Sequence, residues 1–160
     1  MKKNIYRICL FGHRDFCGHK LLDVRLFELL QKIIGEKCFV EIYIGRSGEF
    51  DIYAASVIKR VQKAVGNSNN ELICVLPYKT KDIEYYEQYY DSLIIYEPIG
   101  SAHPKNIITI RNRWIVELCD LVICYVEREN GGAYSAMKYA QRLNKEVINL
   151  AYEHHLIDEQ

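Results

Sequence analysis

The sequence of 160 residues has no excess of charge of either sign. Lysine and arginine together number 21, and aspartate and glutamate also number 21, so nothing draws the whole chain to nucleic acid or to an anionic membrane. The sequence also lacks any apolar run near the roughly 20 residues that span a bilayer, and Met1 to Asn4 lead into a predicted strand rather than a signal-peptide core. We expect a soluble, cytoplasmic protein in which any affinity for phosphate is local.

The sequence also lacks a Cys-x-x-Cys pair, the spacing typical of zinc and redox sites. Four of the six cysteines lie in or at the start of strand-like runs, where small buried thiols are common in a reducing compartment. The six are Cys9, Cys17, Cys38, Cys74, Cys119 and Cys124. Cys17 follows a glycine turn, and a nucleophilic role with His13 or His19 as base stays open beside inert packing. We predict no metal and no cofactor.

Runs of β-branched and aromatic residues alternate along the chain with segments of helical periodicity. The runs predict strands at 5–11, 39–44, 71–76, 93–96, 121–126 and 147–150. The periodic segments predict helices at about 18–34, 50–65, 82–90, 107–118 and 133–143, and Gly35 is expected to end the first helix. This alternation indicates an α/β fold with a mainly parallel sheet and helices on both faces. We assign residues 1–151 to a single domain and 152–160 to a polar C-terminal tail.

Three glycine-bearing turns fall where a predicted strand ends and a helix begins. The turns contain Gly12, His13 and Arg14; Gly45, Arg46, Ser47 and Gly48; and Gly131 and Gly132. In a parallel sheet such turns gather at the carboxyl edge, where helix N-termini offer unpaired N–H groups to anions. Arginine adds a planar fork that binds phosphate. The turns therefore predict a pocket for a phosphorylated small molecule, and a nucleotide is the ligand that we favour.

The two commonest nucleotide-binding motifs are missing. Five residues separate Gly12 from Gly18 where a P-loop has four, and His19 replaces the P-loop lysine. No strand precedes a full G-x-G-x-x-G segment either. We therefore interpret Gly12 as a residue that permits a tight turn and a close approach of the backbone to the ligand.

Arg111 is a candidate phosphate contact because of its place on a predicted helix. It shares a helical stripe with three apolar residues that face the core, and a cation there is costly unless it is paired. The partner is either a phosphate of the ligand, which we favour, or an internal acid such as Asp120 or Glu117. Arg113 lies roughly 200° around the same helix, so it should not face the same pocket.

The remaining candidates each have a structural and a functional interpretation. Asp51, in the first turn of the second predicted helix, either caps free N–H groups or contacts a ribose or acts as a general base. Ala133 and Ser135 follow the third turn, in a helix N-terminus that suits a second phosphate or is unremarkable. A tyrosine-rich stretch either covers the pocket and stacks on a base or, as we favour, packs amphipathically or in a dimer. It contains Tyr85, Tyr86, Tyr89 and Tyr90.

In their order and spacing these segments resemble the SLOG superfamily, a Rossmann-like group that joins the DNA-processing protein A domain to the Lonely Guy proteins. The resemblance is to its small, single-domain bacterial branch and covers nearly the whole chain. It implies a Rossmann-like three-layer sandwich that binds or senses a nucleotide-derived ligand, such as a nucleoside phosphate or an ADP-ribose-like molecule. Small relatives commonly pair, which leaves a homodimer open. The segments that carry it hold Gly12, His13 and Arg14; Gly45, Ser47, Gly48 and Asp51; Arg111, Asn112 and Arg113; and Gly131 and Gly132.

Some relatives cleave the N-glycosidic bond of nucleoside monophosphates, but their catalytic pattern is incomplete in this chain. The resemblance aligns Arg111 with their arginine and Ala136 with their glutamate. A glycosidic transition state needs a nearby carboxylate, so ligand binding is our leading prediction. A nucleotide N-glycosidase that uses Asp51 or His13 is the alternative. A DNA-binding module is the third hypothesis, which the even charge balance disfavours.

Overall fold

The computed structural model describes residues 4–97 and 104–152. The strands are β1 (Ile5–Gly12), β2 (Phe39–Ile44), β3 (Asn70–Leu76), β4 (Ser92–Ile95), β5 (Leu121–Tyr125) and β6 (Glu146–Asn149). The helices are α1 (Lys20–Glu36), α2 (Glu49–Val65), α3 (Ile83–Tyr89), α4 (Pro104–Leu118) and α5 (Gly132–Arg142). Each corresponds to an element predicted from the sequence, with shifts of a few residues at the ends.

The six strands of the described chain form one parallel sheet in the order β4-β3-β2-β1-β5-β6. Ile8 of β1 pairs with Ile42 of β2 on one side and with Leu121 of β5 on the other. The chain moves outward from β1 to β4 and then returns to β5, so the strand order reverses between β1 and β5. Ligands of open parallel sheets bind beyond the strand ends at such a reversal. The predicted α/β fold with a mainly parallel sheet is confirmed.

Helices cover both faces of this sheet, and β1 shows how the strands serve two cores. Ile8 and Leu10 pack into the core under α1 and α2, whereas Cys9 and Phe11 pack into the core under α4 and α5. Burial on both faces explains why the strands appear in the sequence as continuous apolar runs. Each fully buried leucine or isoleucine contributes roughly 1.5–3 kcal/mol to this arrangement.

The prediction that Gly35 ends α1 is wrong. The helix continues to Glu36, and the N–H of Lys37 donates to the carbonyl oxygen of Ile33 at 3.1 Å. Gly35 is exposed, and its φ is not positive. A glycine lowers helix propensity by only about 1 kcal/mol, and a full turn of hydrogen bonds at the end of α1 outweighs that cost.

Further sequence predictions concern the cysteines, the chain ends and the membrane. Cys17 and Cys38 are exposed, and the other four thiols are buried. No helix within residues 4–97 and 104–152 is long and apolar enough to cross a bilayer. The assignment of residues 1–151 to one domain stays a prediction, and most of the predicted tail, residues 153–160, lies outside the described residues.

Candidate functional site

The turns after β1, β2 and β5 meet beside α4 where the strand order reverses. They enclose a cavity of about 460 Å³, here called the main cavity, whose volume lies in the ~300–1,000 Å³ range of small-molecule sites. Three predicted site residues do not line the main cavity. Gly45 lies against the guanidinium of Arg111, Arg46 lines an adjoining cavity, and Ser135 lines a small crevice at the start of α5. The other predicted site residues line the main cavity: Gly12, His13, Arg14, Ser47, Gly48, Asp51, Arg111, Gly131, Gly132 and Ala133.

Arg111 reaches from α4 into the main cavity and is only 2% exposed. Its NH1 donates to the carbonyl oxygen of Val75 at 3.3 Å, and its NH2 donates to Oγ of Ser47 at 3.0 Å. Nε and NH2 also donate to Oδ1 of Asn112, at 3.2 and 2.8 Å. All of these acceptors are neutral, so the hydrogen bonds orient the guanidinium without compensating its charge.

The internal acids considered from the sequence are engaged elsewhere. Asp120 accepts the backbone N–H of Arg7 at 2.9 Å, and Glu117 accepts the hydroxyl of Tyr139. Within residues 4–97 and 104–152, no carboxylate forms an ion pair with Arg111. Burial lowers the pKa of Arg111, and the charge of Asp51 opposes that change. Since a guanidinium stays protonated in proteins, the cavity holds a desolvated cation that an anion would stabilise.

Asp51 stabilises the turn that precedes α2. Its Oδ2 accepts the backbone N–H of Ser47, the residue before the N-cap Gly48, at 2.8 Å. Burial raises the pKa of its carboxyl, and the Ser47 N–H, Arg111 and Arg14 oppose that rise. Because Asp51 also lines the main cavity, the hydrogen bond to Ser47 leaves the carboxyl group next to the space that a ligand would occupy.

His13 connects the first turn to the segment that follows β5. Its Nε2 accepts the backbone N–H of Glu127 at 2.8 Å and that of Arg128 at 3.3 Å. A nitrogen that accepts in this way belongs to a neutral imidazole with its proton on Nδ1. Burial and the nearby charge of Arg128 lower the pKa of His13, which favours that form. Nε2 is therefore committed to the protein backbone.

Three of the predicted glycines make room for other residues of the protein, and at Gly48 the neighbour is Arg14. A Cβ atom on Gly12 would overlap the ring of Phe50, which is fully buried in α2. A Cβ atom on Gly45 would lie 3.0 Å from both terminal nitrogens of Arg111. Gly12 thus makes room for Phe50 and also lines the main cavity, and Gly45 allows Arg111 to lie against the end of β2.

The third turn is open. Gly131 has a φ of 90° and a ψ of 176°, a conformation that is essentially restricted to glycine. In the described part of the chain, nothing lies within 4 Å of the position that its Cβ would occupy. Gly131 and Gly132 are exposed, and no side chain caps the start of α5. The first N–H groups of α5 and the positive end of its dipole therefore lie at the main cavity.

A second cavity of about 340 Å³, here called the tyrosine cavity, adjoins the main cavity and shares Arg14, Ser47, Ile108 and Arg111 with it. The guanidinium of Arg46 lies 4.6 Å from the centroid of the Tyr86 ring and donates to the Tyr90 hydroxyl at 3.2 Å. The remaining residues that line the tyrosine cavity are Arg46, Leu76, Pro77, Tyr78, Thr80 and Tyr86.

The four tyrosines of the tyrosine-rich stretch have different environments. Tyr86 lines the tyrosine cavity, Tyr90 is buried, and Tyr85 is 59% exposed. Tyr86 and Tyr89 pack against the core under α1 and α2. The amphipathic interpretation therefore describes most of the stretch, and Tyr86 alone of the four borders the site.

Sequence reasoning missed several polar residues that border the cavities. Asn112 is 7% exposed and orients Arg111, and its only signal is its position next to an inward arginine. Arg128 lies between β5 and the turn glycine Gly131, and Thr80 lies in the segment between β3 and α3, which contains no glycine. Arg113 lies away from Arg111, as predicted, with its guanidinium 5.1 Å from the centroid of Tyr139. Ala136, which the resemblance aligns with a catalytic glutamate, is buried in the core under α5.

No family model and no curated protein matches this sequence, but solved structures match its fold. DNA processing protein A from Streptococcus pneumoniae matches with a TM-score of 0.63 and 18% identity, over 97% of this chain and 56% of that chain. The Helicobacter pylori protein of the same name matches with a TM-score of 0.60 and 17% identity, over 96% of this chain and 72% of that chain. The molybdenum cofactor carrier protein of Chlamydomonas reinhardtii matches with a TM-score of 0.57 and 17% identity, over 98% of this chain and 83% of that chain.

These matches extend over nearly all of this chain, whereas the chain spans little more than half of the Streptococcus protein. At identities of 17–18% the likeness concerns the fold. The resemblance predicted from the sequence is confirmed at that level: the chain has a Rossmann-like fold similar to the folds of DNA processing protein A and of the molybdenum cofactor carrier protein.

Proposed function

We propose that this protein binds or senses a small nucleotide-derived ligand, a nucleoside phosphate or an ADP-ribose-like molecule, at the carboxyl edge of its sheet. The main support is Arg111, a buried cation whose hydrogen-bond acceptors are all neutral and which lies on the wall of a ligand-sized cavity. A phosphate would supply the missing negative charge, and charge-assisted hydrogen bonds to arginine are the strongest of their kind. The cytoplasmic location expected from the sequence belongs to this proposal.

The arrangement of charges suggests how such a ligand lies. Arg14 and Arg111 line one part of the main cavity, and the first turn of α5 lines another. A phosphate placed between them accepts hydrogen bonds from both arginines and from the free N–H groups of the helix. Asp51 would repel a phosphate but accepts hydrogen bonds from ribose hydroxyls. We therefore place the phosphate beside Arg111 and the ribose beside Asp51.

The proteins of similar fold support a ligand-binding role and define a competitor. The Chlamydomonas protein is a carrier of the molybdenum cofactor, and the Helicobacter protein binds single-stranded DNA. For this chain we favour the small ligand, because its 21 basic and 21 acidic residues give no net positive charge. Binding of DNA depends on neutralising many phosphates.

Titration calorimetry tests the proposal with AMP, ADP-ribose, NAD and a single-stranded oligonucleotide. We expect at least one of the small ligands to bind and Arg111→Met to weaken its binding by about 10- to 100-fold, because a hydrogen-bonded charge is worth roughly 1.5–3 kcal/mol. Arg113→Met is the matched control on the same helix and should bind as the wild type does. Thermal unfolding shows whether each variant is folded.

Two results contradict the proposal. The first is the absence of heat and of any thermal shift with every small ligand. The second is binding of the oligonucleotide alone with an affinity that falls steeply with salt, which supports the DNA-binding hypothesis instead.

Nucleotide N-glycosidase activity is the second candidate function, and Asp51 is the observation that favours it. Its carboxyl lines the main cavity, and burial raises its pKa, as expected of a group that exchanges protons during glycosidic cleavage. His13 is less suited because its Nε2 already accepts two backbone N–H groups. Release of free base from nucleoside monophosphates, abolished in Asp51→Asn, would establish this activity. Binding without base release would restrict the protein to the first function.

A further inference from the structure

The tyrosine cavity differs from the main cavity in its chemistry. Four of the residues found only there are Leu76, Pro77, Tyr78 and Tyr86, and their side chains are aliphatic or aromatic. Arg46, the arginine that lines this cavity alone, already lies against the Tyr86 ring and donates to a tyrosine hydroxyl. These residues offer apolar and aromatic surface to a flat group.

The pair formed by Arg46 and Tyr86 provides surfaces on which such a group can stack. Bases stack on tyrosine rings and on guanidinium planes in many nucleotide-binding proteins. Because the hydroxyl of Tyr90 accepts a hydrogen bond from NH1 of Arg46, the guanidinium is fixed before a ligand arrives. A fixed surface costs little conformational entropy on binding.

Thr80 supplies an independent observation. Its hydroxyl lines the tyrosine cavity, is shielded from solvent and has no hydrogen-bond partner within residues 4–97 and 104–152. A buried polar atom without a partner is unfavourable, so the hydroxyl is an unused donor and acceptor in the tyrosine cavity. The ring nitrogens and exocyclic groups of a base are suitable partners, and an aliphatic group is not.

The two cavities share residues where they join. Arg14, Ser47 and Arg111 line both, so a ligand can extend from one cavity into the other, with its phosphate in the main cavity, its ribose where the cavities join and its base in the tyrosine cavity. We propose that the tyrosine cavity binds the aromatic base of the ligand, with Arg46 and Tyr86 as the stacking surface and Thr80 as the residue that recognises the edge of the ring. This inference rests on the proposed function and specifies its ligand as a phosphate that carries an aromatic base.

The experiment compares ligands with and without a base. Calorimetry measures the binding of the four common nucleoside monophosphates and of ribose 5-phosphate to the wild type, Tyr86→Leu and Tyr85→Leu. We expect a nucleotide to bind more tightly than ribose 5-phosphate, and Tyr86→Leu to weaken only the nucleotide, by about tenfold or more. Tyr85→Leu is the matched control, because Tyr85 lies on the same helix but is exposed.

Thr80 allows a test that does not depend on a loss of folding. Thr80→Val removes the unpartnered hydroxyl at almost constant volume, so the free protein should unfold at the wild-type temperature or above it. The same variant should bind the preferred nucleotide up to about tenfold more weakly, while Thr80→Ser retains wild-type affinity. A lower unfolding temperature of free Thr80→Val would reveal an internal partner for the hydroxyl and overturn its assigned role.

The outcomes separate this inference from the proposed function. If ribose 5-phosphate binds as tightly as every nucleotide and Tyr86→Leu changes neither affinity, the base assignment is wrong and the phosphate site stands. If no phosphorylated ligand binds to the folded wild-type protein, the proposed function fails and the base assignment fails with it.

Discussion

The first and third turns of the site both contain glycine at a strand end, but glycine is needed there for different reasons. Gly12 is enclosed, because the ring of Phe50 occupies the space where a side chain would lie. Gly131 is open, with no described residue within 4 Å of its missing side chain, and glycine is required there by a φ of 90°. Tight packing therefore explains the glycine of the first turn, and an unusual backbone conformation explains the glycine of the third.

Because of this difference, the two turns contribute to the main cavity in different ways. The first turn is held by its packing against α2 and forms a rigid part of the main cavity. The third turn brings the start of α5 to the cavity without enclosing it. His13 joins them, since its side chain on the first turn accepts N–H groups of the segment that precedes the third.

Gly12→Ala should give the largest effect and tests the enclosed turn. A methyl group at this position must displace the fully buried Phe50 ring, so we expect a loss of about 3 kcal/mol in the free energy of unfolding and a melting temperature lower by roughly 6–12 °C. Denaturant and thermal unfolding measure both quantities. Gly35→Ala, at an exposed helical glycine, should instead stabilise the protein by about 0.5–1 kcal/mol.

A second variant makes the cause of that loss explicit. Phe50→Ala is itself destabilising, but combined with Gly12→Ala it should restore part of the stability, because alanine lacks the Cγ and Cδ1 atoms that lie nearest to the added methyl group. Strictly additive losses in the double variant would mean that the ring is not what Gly12 accommodates.

Gly131→Ala tests the open turn and should cost less. No atom of residues 4–97 and 104–152 obstructs the new side chain, so the penalty is that of the backbone conformation, about 1–3 kcal/mol. Gly132→Ala is the matched control, because the nearest atom to its new Cβ is 3.8 Å away and its φ is not positive. Its effect on chemical denaturation should stay within about 0.5 kcal/mol of zero. Equal losses at the two positions would refute the distinction.

The connection through His13 should produce a small dependence of stability on pH. The pKa of His13 in the folded protein is lowered by burial and by Arg128, so the unfolded chain binds the proton more readily. The stabilising contribution is therefore complete above pH ~6.5 and is lost as the pH falls toward the folded pKa. Unfolding midpoints between pH 8 and pH 5 should fall more steeply in the wild type than in His13→Gln, which keeps an acceptor but does not titrate.

Parallel midpoint curves for the two proteins would show that folding does not lower the pKa of His13. A curve that rises toward low pH in the wild type alone would show that the folded protein favours charged His13, contrary to the geometry of its Nε2.

The features that could be predicted from the sequence are those that depend on residues close together in the chain. The bounds of β2 at 39–44 agree with the structure because polar or glycine-containing segments enclose that run. The inward position of Arg111 followed from its place on an apolar stripe. The contacts of Gly12 with Phe50 and of His13 with the segment after β5 were not predictable, because they depend on which strands become neighbours. The strand order and the unpartnered hydroxyl of Thr80 likewise arise only when the chain is folded.

The contact between Gly45 and Arg111 constrains how this protein can change during evolution. Any side chain at position 45 would press on the guanidinium, so a lineage that enlarges residue 45 must also shorten or redirect residue 111. A lineage that loses the arginine is free to accept bulk at position 45. The two positions should vary together, and a descendant with a large residue at 45 will have lost the cation and, with it, the anion site that we propose.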